Sequence, residues 1–180
     1  MRRLIYFSLV FVIALQAVPA QDKNALPAQV QRGRELFIKT TKGIPCGTCH
    51  SLAGVGTAVG PDLRTLASAV SPGALVQAMH MTMTAYVQEA KLADGSKFPA
   101  MLKGKQGDRM ELWDLSQTPP VLRTLAAKDV VSMEANTTWK HPPASAEYTT
   151  QEVADIVGFL KWAAKGSTKE IKPEEVGFVK

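Results

Sequence analysis

Two cysteines are all that the 180-residue chain contains, and they stand together with a histidine directly behind them: Cys46-Gly47-Thr48-Cys49-His50. C-x-x-C-H is the signature of covalent c-type haem attachment. Each thiol can add across one haem vinyl group as a thioether, and the two-residue spacer suits the separation of the vinyls. His50 is then left beside the iron on its proximal side. No other feature constrains the chain as much, because it ties two backbone positions to one rigid cofactor. Two other readings stay open. One is a C-x-x-C turn closed as a redox or structural disulfide, with an incidental histidine. The other is a zinc half-site, although two cysteines exclude a Cys-rich zinc centre.

The start of the chain bears on that choice. Met1-Arg2-Arg3 precedes an apolar run over 4–15 and then Val18-Pro19-Ala20, the pattern of a secretory signal peptide over 1–20. The run is short for the ~20 residues of a retained anchor. A periplasmic or otherwise exported protein is expected, with no membrane span after cleavage, and haem c is attached outside the cytoplasm. The remainder, 21–180, is long enough for one domain with a real core. Loss of Arg2 and Arg3 lowers the formal charge of +5 by two. That is too mild to argue for nucleic acid, and no basic tract occurs. Lys161, Lys165, Lys169 and Lys172 are either a docking surface for an acidic redox partner or an ordinary solvated helix face and tail.

Helical spacing of Val30, Gly33, Leu36 and Phe37 predicts a helix from Pro27 to about Thr40, with Gly43 as its stop. Gly33 inside it costs ~1 kcal/mol against alanine and suggests close approach by another helix. After the C-x-x-C-H motif come a glycine-rich loop and Gly60-Pro61-Asp62-Leu63. A short helix at 63–69 follows, and then a second from Ser71-Pro72 to about His80. From 84 the texture changes. Asp94-Gly95 is a hairpin-turn signal, and strands are expected before it, at 97–102, at 110–115 and at 130–133. This makes a four-stranded antiparallel module, inserted over about 84–134 between helical parts at about 27–83 and 135–165. Thr149 and Glu152 form a capping box ahead of an apolar stripe of Val153, Ile156, Val157 and Leu160, ended by Gly166. A single domain over 21–166 and a charged, loosely ordered tail over 167–180 complete the expectation.

These features together resemble a class I c-type cytochrome. The resemblance rests on Gly33 and Phe37 before Cys46-Gly47-Thr48-Cys49-His50, on Gly60-Pro61-Asp62-Leu63, and on a last helix with Phe159-Leu160. It covers roughly 27–80 and 138–165. More closely, the chain resembles bacterial single-haem periplasmic cytochromes that carry a β insertion before the distal-ligand loop and often accompany periplasmic dehydrogenases. The resemblance implies a mainly α molecule: a cytochrome c fold with a small inserted antiparallel β module. It implies that the first and last helices cross near Gly33 and the pair Phe159 and Trp162. It also implies one covalently bound haem c, and a Pro61 carbonyl that accepts a hydrogen bond from His50 Nδ1–H.

The family's distal iron ligand is a methionine followed by proline, shortly before the last helix. Residues 139–148 contain no methionine, and His141-Pro142 stands where Met-Pro is expected. With 84–134 set aside, the interval from His50 to His141 suits a small cytochrome. Neutral imidazole is a good iron ligand, so His50 and His141 are the expected metal ligands. The alternative distal ligands are Met81, Met83 and Met79 near a helix end, then Met133. His80 or an open sixth position are further options. Met101 and Met110 read as packing residues in strands.

The distal position decides between function classes. A fully ligated iron points to transfer of single electrons between periplasmic redox partners, and two imidazoles imply a lower potential than a His/Met pair. A labile sixth position would point to a haem enzyme, peroxidase-like or gas-binding, with Arg64 or Arg123 as candidate helpers. A third possibility is a cytochrome subunit docked on a dehydrogenase or oxidase complex through the β module, with Tyr86 and Trp113 as anchors. Asp62, Asp114 and Glu152 have turn, hairpin-end and cap readings, so no catalytic set is expected.

Overall fold

In a computed structural model, which describes residues 25–39, 42–81, 84–142 and 147–177, the helical part is organised around the last long helix. Among the described residues the α-helices are α1 (Ala28–Ile38), α2 (Leu63–Ala69), α3 (Pro72–Met79), α4 (Thr150–Lys165) and α5 (Pro173–Val176). α4 begins at the capping box: Thr149 accepts from the Glu152 backbone N–H, and Glu152 accepts from that of Thr149. It ends at Gly166, whose φ of 68° is the left-handed conformation a C-terminal glycine adopts without strain. Every residue from Val153 to Leu160 is buried, so α4 is wrapped by neighbours along its middle two turns.

α1 crosses α4 at Gly33. A Cβ there would lie 1.9 Å from Asp155 O and 2.9 Å from Phe159 Cβ, so only glycine permits this approach. Beside the crossing, Phe37 meets Phe159 edge-on with centroids 5.4 Å apart, and Phe159 stacks on Trp162. Arg32 grips the almost fully buried Asp155 carboxylate with two hydrogen bonds, of 2.7 and 2.9 Å. Ser71 caps α3 by accepting from Ala74 N–H, with Pro72 in its first turn. Lys161 donates to the carbonyls of Ala67 and Val70, answering the orphan acceptors at the end of α2. That lysine is thereby removed from any free cationic face.

Residues 88–135 form a five-stranded antiparallel sheet: β1 (Gln88–Leu92), β2 (Lys97–Gln106), β3 (Arg109–Asp114), β4 (Val121–Ala126) and β5 (Val130–Ala135). The strand order is β4-β3-β2-β1-β5, so the meander returns its last strand to pair with its first. The Asp94-Gly95 turn closes β1 onto β2, with Gly95 at φ 87° and Ser96 N–H donating to Asp94. One face buries Ala90, Leu92, Phe98, Ala100 and Leu112 as a hydrophobic cluster separate from the helical core. Arg123 covers Phe98 at 4.5 Å and pairs with the fully buried Asp114.

The expectation of a mainly α cytochrome fold with a small β module is therefore corrected. Helix, 3-10 turns included, accounts for 36% and strand for 24% of the described residues, and the fold is mixed, with a sheet that has its own core. The strand the sequence reading missed is β4. The break at Thr118-Pro119-Pro120 hid it, yet Val121 to Ala126 pairs with β3 along its length. A second correction concerns the expected loose tail. Gln29 donates to Ile171 O and accepts from Ile171 N–H, and Ile171 and Val176 are buried in the helical core. Among the described residues no helix is long and apolar enough to cross a membrane; the expected signal segment, 1–20, lies outside them.

Candidate functional site

The C-x-x-C-H segment folds as a tight knot at the end of α1. Cys46–Thr48 is one 3-10 turn, and the N–H groups of Cys49 and His50 both return to Cys46 O, at 3.1 and 2.9 Å. The glycine-rich loop then folds back over it. Thr57 N–H donates to Gly47 O, and Gly60 N–H donates to Cys49 O. Gly56, at φ 83°, would place a Cβ 2.2 Å from His50 O, and Gly60 would place one 2.6 Å from His50 Cε1. The backbone of the loop thus lies directly on the imidazole, where a side chain could not fit.

His50 Nδ1 lies 2.9 Å from Pro61 O. A carbonyl oxygen only accepts, so Nδ1 carries the proton and the Nε2 lone pair is left available. His141 is held in the same way by its neighbour, with Nδ1 2.7 Å from Pro142 O. Trp139 meets the His141 ring edge-on, with centroids 6.2 Å apart. The Trp139 N–H is itself fixed by Asn136, 2.7 Å away. The two imidazole centroids are 6.0 Å apart. Burial is the main cause that lowers the His50 pKa, opposed by the Pro61 hydrogen bond and reinforced by His141.

Both rings line one cavity of about 260 Å³. The helical part contributes Cys49, His50, Val59, Gly60 and Pro61. The opposite wall comes from the sheet and its approaches: Thr84, Tyr86, Val87, Met101, Leu115 and Pro120. These wall residues were missed by sequence reading. Met101 lines the cavity rather than only packing within the sheet, and the alternation of Phe98 and Ala100 with Pro99 and Met101 is the signal the sequence offers. It separates two faces without saying which one meets the C-x-x-C-H loop.

Of the alternative ligands, Met79, Met81, Met133 and His80 do not line this cavity. Met79 packs on the helical core and Met133 on the sheet core. Met81 is largely exposed, His80 Nδ1 bonds to Val76 O at the end of α3, and Met83 lies outside the described residues. Arg64 is engaged by Asp62 on the surface and Arg123 by Asp114 in the sheet. Neither lines the cavity.

Cys46 and Cys49 are not joined to each other as a disulfide. Burial pushes Cys46 up to about 11 and raises Cys49 as well. A disulfide oxidoreductase needs the opposite, a thiol pKa depressed toward neutrality. Among the described residues no group of three or more His, Cys, Asp or Glu side chains is arranged to hold a bare metal ion. Two imidazoles suffice only where a cofactor supplies the other ligands. Haem would do so, with its iron held between His50 and His141, whose ring centroids are 6.0 Å apart and which line the same cavity. No protein-family model matches the chain, and comparison with curated proteins finds no match.

Proposed function

We propose that the chain is a monohaem c-type cytochrome that passes single electrons between exported redox partners. In this reading one haem c would be attached through Cys46 and Cys49, and His50 and His141 would hold its iron. The observation that carries it is the pair of imidazoles, 6.0 Å apart across one cavity, each with its Nδ1–H bound to a backbone carbonyl. Haem supplies a reversible one-electron couple whose potential follows axial ligation and burial. The residues of the chain do the positioning. Pro61 and Pro142 hold the rings in one tautomer, Gly56 and Gly60 let the loop close on His50, and Trp139 steadies His141. Two neutral nitrogen donors favour a lower potential than a nitrogen–thioether pair.

The test is to purify the protein after export and measure its mass, a haem stain on a denaturing gel, and ferric and ferrous absorption spectra. One covalent haem, lost in the Cys46→Ser/Cys49→Ser double variant, and low-spin spectra without a sulfur-to-iron band are expected. Exported protein with two free thiols and no haem would sink the proposal. Rapid, stoichiometric CO binding by the reduced protein would instead favour a gas-binding or peroxidase-like protein with a labile sixth position.

A further inference from the structure

The two imidazoles are held from different parts of the molecule. His50 belongs to the knot at the end of α1, whereas His141 lies just beyond the last strand of the sheet. β5 ends at Ala135, and the next residue, Asn136, is anchored on both sides. Its backbone N–H donates to Val87 O at 2.9 Å, which extends the β1–β5 ladder one pair beyond Gln88 and Ala135. Val87 is buried and lines the cavity. On the other side, Asn136 Oδ1 accepts from the Thr138 N–H at 2.9 Å, the Thr138 hydroxyl at 3.0 Å and the Trp139 backbone N–H at 2.7 Å. Trp139, fixed in this way, lines the cavity and meets the His141 ring edge-on. Asn136 itself does not line the cavity, so it acts on the site only through these neighbours. One side chain thus fixes the path of the chain from the sheet to the second imidazole.

We propose that Asn136 is a positioning residue that sets how firmly His141 holds the sixth iron position. This rests on the haem reading above. The hold of a tethered ligand depends on its effective concentration at the metal, which rises as its tether loses alternative conformations. With the Asn136 oxygen in place, 136–139 is one turn tied to the sheet. Without it, the Thr138 and Trp139 N–H groups turn to water and the loop gains freedom, so the imidazole is away from the iron more often. The Pro142 carbonyl orients the His141 ring but does not tie the loop to the sheet. In an electron carrier the sheet would thereby keep small ligands off the iron, by way of a residue that touches neither the iron nor the imidazole.

The test uses the exported, haem-loaded full chain in its reduced form, with carbon monoxide as the probe of an open sixth position and stopped-flow absorption as the readout. Wild-type protein should bind CO slowly or not at all, because His141 must leave first. Asn136→Ala removes all three side-chain hydrogen bonds and should speed CO binding about tenfold, on the scale of a net hydrogen bond or two. Asn136→Asp keeps an acceptor oxygen in the same place and should return the rate to within about twofold of the parent. A merely structural Asn136 would lower the unfolding midpoint and leave the CO rate unmoved. The inference is overturned if the alanine variant, loaded with haem, binds CO at the parent rate, or if the aspartate variant is as fast as the alanine one. If the alanine variant does not fold, Asn136→Ser decides. Its hydroxyl can still accept one of the three bonds, so a rise of about threefold is expected, and an unchanged rate overturns the inference. Wild-type protein without covalent haem, or one that binds CO at once and to completion, would defeat the parent reading itself. A haem-loaded, CO-resistant wild type with unresponsive variants defeats only the role of Asn136.

Discussion

Replacing Gly33 by alanine tests whether the α1–α4 crossing holds the helical part together. In an isolated helix the change would help by ~1 kcal/mol, since alanine is the better helix former. Here the added methyl would sit 1.9 Å from Asp155 O and 2.9 Å from Phe159 Cβ, against 3.4 Å or more for an ordinary contact. The obstacle is the α4 backbone, so the helices must part by about 1.5 Å or tilt, and overpacking of this kind costs ~1–3 kcal/mol. Parting also loosens the Phe37–Phe159 edge contact, worth ~0.5–1.5 kcal/mol, and the two-point grip of Arg32 on Asp155. The net expectation is a loss of about 2–4 kcal/mol after the propensity gain is subtracted. Denaturant unfolding followed by far-ultraviolet circular dichroism measures it, with tryptophan fluorescence reporting Trp162 where it stacks on Phe159. Gly104→Ala is the control. Nothing lies within 4 Å of a Cβ at that position, and a change within ~0.5 kcal/mol is expected. A Gly33→Ala protein as stable as its parent would refute the crossing.

Three further outcomes follow from particular contacts. His141→Met should raise the haem potential by a fraction of the ~0.8 V that axial ligands span and bring in a near-red sulfur-to-iron band; an unaltered spectrum would show that His141 is not a ligand. Arg123→Ala strips the fully buried Asp114 of its ion-pair partner and should cost ~3–5 kcal/mol, whereas a loss under ~1 kcal/mol in urea unfolding would contradict the pairing. Glu152 has its pKa lowered, first by the Lys42 ammonium and then by the Thr149 backbone N–H. Its folded-state value is therefore below the ~4.3 of an unfolded glutamate, so its contribution is complete above that pH and is lost as pH falls through the folded value. The pair is partly exposed, so ~1 kcal/mol at most is at stake. Glu152→Gln should flatten the acid limb of the stability profile, and an unchanged limb would remove Glu152 from the account.

Elements with local signals were legible in the sequence. Ser71-Pro72, the Thr149–Glu152 box and Gly166 mark helix ends because a cap is a contact between residues three or four apart. Asp94-Gly95 marks its hairpin for the same reason. β4 had no such mark. Its residues, Val121 to Ala126, do not alternate cleanly, and the prolines before it read as an end rather than a corner. The balance of helix and sheet was misjudged as a result. Burial of Ile171 was equally hidden, since it depends on the Gln29 side chain 142 positions away.

The sequence by itself determined the chemistry available: two cysteines and a histidine in one short motif, a second histidine before proline, and a glycine suited to a close helix crossing. All of these are local or compositional facts. Only the tertiary structure decided that His141 faces His50 across a cavity while Met79, Met81 and Met133 do not line it. It also decided that the sheet turns Met101 and Thr84 into the wall of that cavity. Strand register selects the face, and a shift of one residue would have turned Phe98 or Ala100 there instead. That choice is made by the packing of the whole sheet, and no stretch of sequence contains it.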